Sequence, residues 1–509
     1  MTNLISDAFT ALKRSGLSEP EVWKPIYQAG LKDALVEGRL DEAAELALFA
    51  AVCLEAQGYY EDAIAELEFA VSRTKSSPDV TVSLLGTLAN LQAIRGDTLA
   101  FDTIAAATPL RSLVTRTQSA IEFDIEAAIV ACVFLQPGCT EQARTCADAA
   151  MAGGFGTFAR GIDIWAVPAM VAHGQRRRAV PWVNSLGAHA EVDGSDYRLA
   201  DFAALDYGLR SATGRAVLDI APFEKARRNN MAAWRAQTTV LHNAVLCRDG
   251  EAALAAVAQL ELLAPKLNPG HTEGLPAFQA VARLTGDELT DEPEPPAEVT
   301  LVNLPAVMAA MEVVATRGSQ EQALVWSKWA AEHLPGHVFT SLEWPASLLR
   351  IHALLLVRMG KDRTGIALME RALQWCKSAG YPLEAALCEV QLSELLALGP
   401  TAAPERRWSA LRKTGRAALK AAAIDPLPHA FAATEALAWG RAAEAEPKLS
   451  PREVEVLGLL ADGLTYRQIG EHLGIEWRTV QVHARHIYEK LGTSGKMRAA
   501  KRAQELGII

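Results

Sequence analysis

Glycine recurs along most of this chain, and five positions after it stands a residue, usually small, that opens an apolar-periodic helix. The pairs are Gly58/Ala63, Gly96/Phe101, Gly138/Ala143, Gly174/Ala179, Gly250/Ala255, Gly318/Ala323 and Gly360/Gly365. Their spacings of 38, 42, 36, 76, 68 and 42 residues imply a period near 38, within the range of stacked helical hairpins. Glycine ends one helix in a left-handed turn, and a small residue lets the next helix pack closely. A second small residue often follows seven positions later, as in Ala63/Ala70, Ala143/Ala150, Ala323/Ala330 and Gly365/Ala372. Two small residues two turns apart give one helix face that a neighbour can approach.

Composition agrees. The 509 residues are 50% hydrophobic, 22% charged and 6% aromatic, which provides a large core and disfavours a β-sandwich. The net charge of -10 excludes a protein that coats nucleic acid with its whole surface. That charge is unevenly spread, since 477–502 carries seven basic residues against Glu489 alone. The seven cysteines are sparse, and none forms a C-x-x-C pair. Cys132, Cys139 and Cys146 stand seven apart, but Pro137-Gly138 interrupts them and no histidine lies at ligand spacing, so buried thiols in a reducing cytoplasm are expected. No basic-then-apolar leader opens the chain, and no run of 18 apolar residues could span a membrane.

The segment Gly58-Tyr59-Tyr60-Glu61-Asp62-Ala63 resembles the turn and second helix of a tetratricopeptide repeat, although the period exceeds the usual one. One stretch breaks the array. Between Gly286 and Val299 there are six acids, three prolines and no base, which forbids a packed helix and reads as an exposed loop. It divides the repeats into 1–290 and 299–446. Trp326 and Trp329, three apart with Trp344 nearby, are expected in the core, with a ligand groove as the alternative. No catalytic constellation emerges. Gly492-Thr493-Ser494-Gly495-Lys496-Met497 lacks the second glycine and the hydroxyl of a phosphate loop, and no G-x-S-x-G occurs. His483 and His486 have no third ligand at metal spacing. No enzyme activity, cofactor or metal is expected.

The last sixty residues are more specific. Ser450 is an N-cap, Pro451 suits the first helical position, and Glu453 completes a capping box. Val454, Leu457 and Leu460 line one face, and Asp462-Gly463 ends the helix. Thr465 caps a second helix with Ile469 and Leu473 inward, and Gly474 makes a turn. A third helix from about Trp477 to Leu491 turns Val480, Ile487 and Leu491 inward, and a fourth runs from about Lys496 to Leu506. Helix, glycine turn, helix is the helix-turn-helix pattern.

The string resembles the LuxR-type (GerE-type) DNA-binding domain. The matching elements are Leu449-Ser450-Pro451-Arg452-Glu453, Gly463-Leu464-Thr465, Ile469, Leu473-Gly474-Ile475, Thr479-Val480, Val482-His483 and Lys490-Leu491-Gly492. The resemblance implies that Gln481, Val482 and Arg485 face base edges of double-stranded DNA, and that Thr479 and Lys490 lie near phosphate. Thr465 and Arg467 would also meet phosphate, and Arg478 stands on the same exposed face. Many members have lysine where Gln481 stands, so operator preference does not transfer from relatives.

The expected fold is therefore all-α: a tetratricopeptide-like helical-hairpin superhelix followed by a four-helix LuxR-type domain at 447–509. The arrangement looks like that of the maltose-regulon activator with the ATPase module absent. It implies a cytoplasmic, homodimeric bacterial transcription regulator with no membrane contact, whose repeats sense a small molecule, peptide or protein. The alternative is an interaction scaffold or anti-regulator that uses its helix-turn-helix for dimerisation.

Overall fold

The computed structural model describes residues 4, 7–8, 20–56, 58–155, 161–193, 196–211, 230–267, 272, 274–285, 293–333, 346–399, 404–444, 449–491, 493, 496–505 and 508–509. The described residues form twenty-four α-helices and one 3-10 turn, with no strand among them. The protein is all-α. Its contacts divide it into two compact units, Met1–Gly286 with Pro296–Val307, and Asp287–Pro295 with Met308–Ile509.

The recurring glycines act at the turns between helices. At Gly58 the backbone is left-handed, with φ 84°. Tyr59 N–H donates to Leu54 O at 2.9 Å, which closes the preceding helix by a six-to-one bond, and Tyr59 O then accepts from Ala63 N–H at 3.0 Å. One residue thus ends one helix and starts the next. Ala63 falls on the fourth position of the new helix, fully buried, and Ala70 is buried seven residues on. The same left-handed residue and buried small residue appear at Gly138/Ala143, Gly174/Ala179 and Gly360/Gly365. They also appear at Gly38/Ala43 and Gly380/Ala385.

Three positions depart from the expectation. Gly250 lies inside its helix, and the left-handed residue is Arg248, with φ 54°. The phase therefore shifts by two, so that Ala253 is buried and Ala255 is exposed. After Gly96, Phe101 is 37% exposed and Ala100 is buried instead. Gly318 does not adopt positive φ, although Ala323 and Ala330 are buried as expected.

Of the acidic segment, 286–292 lies outside the described residues, as does Trp344. Residues 293–299 are irregular, with Glu294 and Glu298 exposed. Pro293 is buried, and its carbonyl accepts from Trp326 Nε1 at 2.8 Å. Trp326 and Trp329 pack edge to face in the core, with centroids 5.4 Å apart, so they line no groove. In the same unit, Arg350 is fully buried between Glu312, Glu384 and Gln391.

Four short helices end the chain: α1 (Pro451–Ala461), α2 (Tyr466–Leu473), α3 (Trp477–Leu491) and α4 (Lys496–Glu505). They share one core, made of Val456, Leu457, Leu460, Ile469, Val480, Ala484, Ile487, Leu491, Ala499 and Ala503. Val456, not Val454, is the buried valine of α1, because the inward stripe there runs 456, 457, 460.

Candidate nucleic-acid interface

Local sequence fixes where α3 begins and how it is held. Ser450 and Glu453 form a full capping box at α1, and Thr465 and Gln468 form a second at α2. Gly474 ends α2 in the left-handed conformation, φ 64°, which turns the chain into α3 within a few residues. Gly470 makes that turn tight. A Cβ there would stand 2.7 Å from Ile475 O and 3.2 Å from Trp477 N. Two basic side chains brace the assembly by donating to carbonyls. Arg452 Nη2 reaches Leu473 O at 2.9 Å, and Lys496 Nζ reaches Leu464 O at 2.9 Å.

α3 is divided lengthwise. Val480, Ala484, Ile487 and Leu491 are buried, three or four residues apart. The opposite face exposes Arg478, Thr479, Gln481, Val482 and Arg485. Val482 is 44% exposed, an apolar group left on an otherwise polar strip, and Trp477 at the start of the helix is 41% exposed. The Arg478 guanidinium lies over the Trp477 ring at 5.5 Å, which orients both. Arg478, Gln481, Val482 and Arg485 follow the i, i+3, i+4, i+7 rule and so occupy one stripe. An α-helix with such a stripe matches the width of the major groove.

The remaining expected residues sit differently. Arg467 is exposed on α2. Thr465 is exposed too, but its hydroxyl is occupied as a cap: it accepts from Gln468 N–H at 3.4 Å and donates to Gln468 Oε1 at 2.9 Å. The Lys490 ammonium is bound to the Glu453 carboxylate at 2.8 and 2.6 Å. Burial would raise the Glu453 carboxyl, but hydrogen bonds from Lys490 and Ser450 outweigh it and hold it below the usual carboxylate range. Lys490 therefore ties the end of α3 to the capping box of α1.

Sequence reasoning missed Gly470, Ala484 and the Lys490–Glu453 bridge. Gly470 carried a signal, since glycine inside a helix costs stability unless a close approach demands it.

Residues 447–503 match the family described as bacterial regulatory proteins, luxR family. The chain is 38% identical over 93 residues to the transcriptional activator protein PhzR of Pseudomonas fluorescens, covering 17% of this chain and 38% of that protein. It is 31% identical over 86 residues to a putative HTH-type transcriptional regulator of Mycobacterium bovis, covering 15% and 10%. It is 38% identical over 58 residues to the HTH-type transcriptional regulator MalT of Serratia proteamaculans, covering 11% and 6%. The chain thus spans 38% of PhzR and a tenth or less of the other two. The carboxy-terminal segment of this chain is a LuxR-family helix-turn-helix domain.

Proposed function

We propose that this chain is a DNA-binding transcription regulator in which α3 reads operator DNA from the major groove and the helical hairpins form a tetratricopeptide-like effector-sensing body. The observation that carries the reading is the lengthwise division of α3, with four groups exposed on one stripe opposite a closed apolar core. In this reading Arg478, Gln481, Val482 and Arg485 meet base edges, and Thr479 and Arg467 meet phosphate. Lys490 contacts phosphate only by leaving Glu453, so its first role is to hold α3. The names carried by the relatives, an activator and HTH-type regulators, support the assignment.

So small a reading surface makes few phosphate contacts. Two copies on two half-sites are then needed for affinity. In this reading the protein works in the cytoplasm, with no catalytic step and no resident cofactor. Among the described residues no helix is long and apolar enough to cross a membrane.

The test measures binding of the whole protein to duplex DNA recovered with it from cells, at several salt concentrations. Affinity should fall steeply as salt rises, with a log–log slope near -0.9 per phosphate neutralised. Absent or salt-independent DNA binding would favour the scaffold reading.

A further inference from the structure

The helix Glu405–Ala421 carries six basic residues against Glu405 alone, in a chain whose net charge is -10. Its inner face is fixed. Gly415 and Leu419 are buried, and a Cβ at Gly415 would stand 2.8 Å from Glu389 Cβ and 2.9 Å from Ala386 O. The helix therefore lies hard against its neighbour Pro382–Leu398. Three of its cations serve that packing. Arg412 and Arg416 share the Glu394 carboxylate at 2.7 and 3.3 Å, and Arg407 pairs with Glu370 at 2.5 Å. The Arg412 guanidinium also lies over the Trp408 ring at 4.6 Å.

The other three cations have no such task. Arg406, Lys413 and Lys420 are exposed and make no ion pair among the described residues. Residues seven apart return to the same side of a helix. The stripe there runs Arg406, Ala410, Lys413, Ala417, Lys420, all five exposed, so cations alternate with alanines on the solvent side. At 1.5 Å per residue the cations stand about 10 Å apart, in a row about 21 Å long. That separation is close to the Debye length of physiological salt, so their mutual repulsion is small and the row costs the fold little. A small anion would meet one cation at a time. Only an extended polyanion meets all three, and the alanines between them leave no bulk to hold a stiff polymer away. The reading domain follows in the same chain after one further helix, Pro426–Glu444. DNA held by the reader is thus confined near the row by the chain itself.

We propose that Arg406, Lys413 and Lys420 form a second DNA contact, which binds the phosphate backbone of the duplex beside the site read by α3 and reads no sequence. This rests on the DNA-binding reading given above and extends it to the body. Such contacts add the phosphate neutralisation that a reader of four short helices lacks.

The experiment measures binding of the full chain to the duplex DNA recovered with it from cells, at several salt concentrations, for the parent and two triple variants. One carries Arg406→Gln, Lys413→Gln and Lys420→Gln. The other carries Arg73→Gln, Lys75→Gln and Lys328→Gln, which removes the same charge from exposed positions elsewhere. All six are surface positions, so both variants should melt with the parent. The row variant should lose about tenfold or more in affinity at physiological salt, and its log–log slope should flatten by about two to three. The sequence it selects from random duplexes should be unchanged. The second variant should match the parent. An unchanged slope in the row variant, as a row serving an acidic protein would give, overturns the proposal and leaves α3 as the reader. Equal flattening in both variants overturns it in the same way. A parent protein that binds no DNA overturns the reading on which it rests.

Discussion

Lys490 shows why single residues resist reading from sequence. A lysine at the end of a basic helix looks like a phosphate contact, but its partner Glu453 lies 37 positions away and becomes visible only when α1 and α3 pack. Replacing Lys490 with methionine removes two charge-assisted hydrogen bonds from a carboxylate that is 6% exposed. A cost of about 1–3 kcal/mol in domain stability is expected, measured by urea unfolding of the full chain. Glu453 has a lowered carboxyl, so its contribution is present above the unfolded value of 4.5 and fades as pH falls through the folded one. Glu55 has the opposite sign. Its carboxyl rises from 4.5 to about 7, so the stability it permits is complete below pH 4.5 and is lost as pH climbs to 7. Melting temperatures across that window should fall less in Glu55→Gln than in the parent protein, and equal falls would show that Glu55 is not the group responsible. Burial raises Tyr60 and Glu126 as well.

At the scale of elements, what a local rule generates was legible. The capping box at Ser450, the cap at Thr465, the Gly474 turn and the bounds of α3 follow from hydrogen-bonding side chains and helix periodicity within a few residues. Of the expected turns, those at Gly58, Gly96, Gly138, Gly174 and Gly360 have glycine as the left-handed residue, and that at Gly318 does not. The pattern failed at Arg248, because an arginine held at φ 54° leaves no mark in a pattern keyed to glycine. Close approaches give direct tests. Gly470→Ala places a Cβ 2.7 Å from Ile475 O and should cost about 1–3 kcal/mol, while Gly470→Val should prevent the four-helix domain from folding, read by circular dichroism and DNA binding. A Cβ at Gly440 would collide with Val357 O and Gly360, so Gly440→Ala should lower the melting temperature of the body while leaving the DNA-binding domain folded.

At the scale of the molecule, the last four helices have a core cluster of their own. Among the described residues, that core draws on positions between Leu449 and Ile508. Residues 1–446 expressed alone should therefore be folded and helical, because small residues such as Ala63, Ala143 and Ala323 are buried outside that core. An unfolded fragment beside a stable whole protein would contradict this division. The central claim, that α3 reads DNA, is tested most directly by selecting binding sequences from random duplex DNA with the full chain and with Gln481→Ala and Arg485→Ala. Loss of a base-reading side chain costs about 1–3 kcal/mol and relaxes preference at one position, whereas loss of a phosphate contact weakens all sequences alike. The expected result is a defined site for the parent protein and a relaxed or altered position in each variant. An unchanged selected sequence with unchanged affinity in both variants would contradict the assignment of α3 as the reading helix.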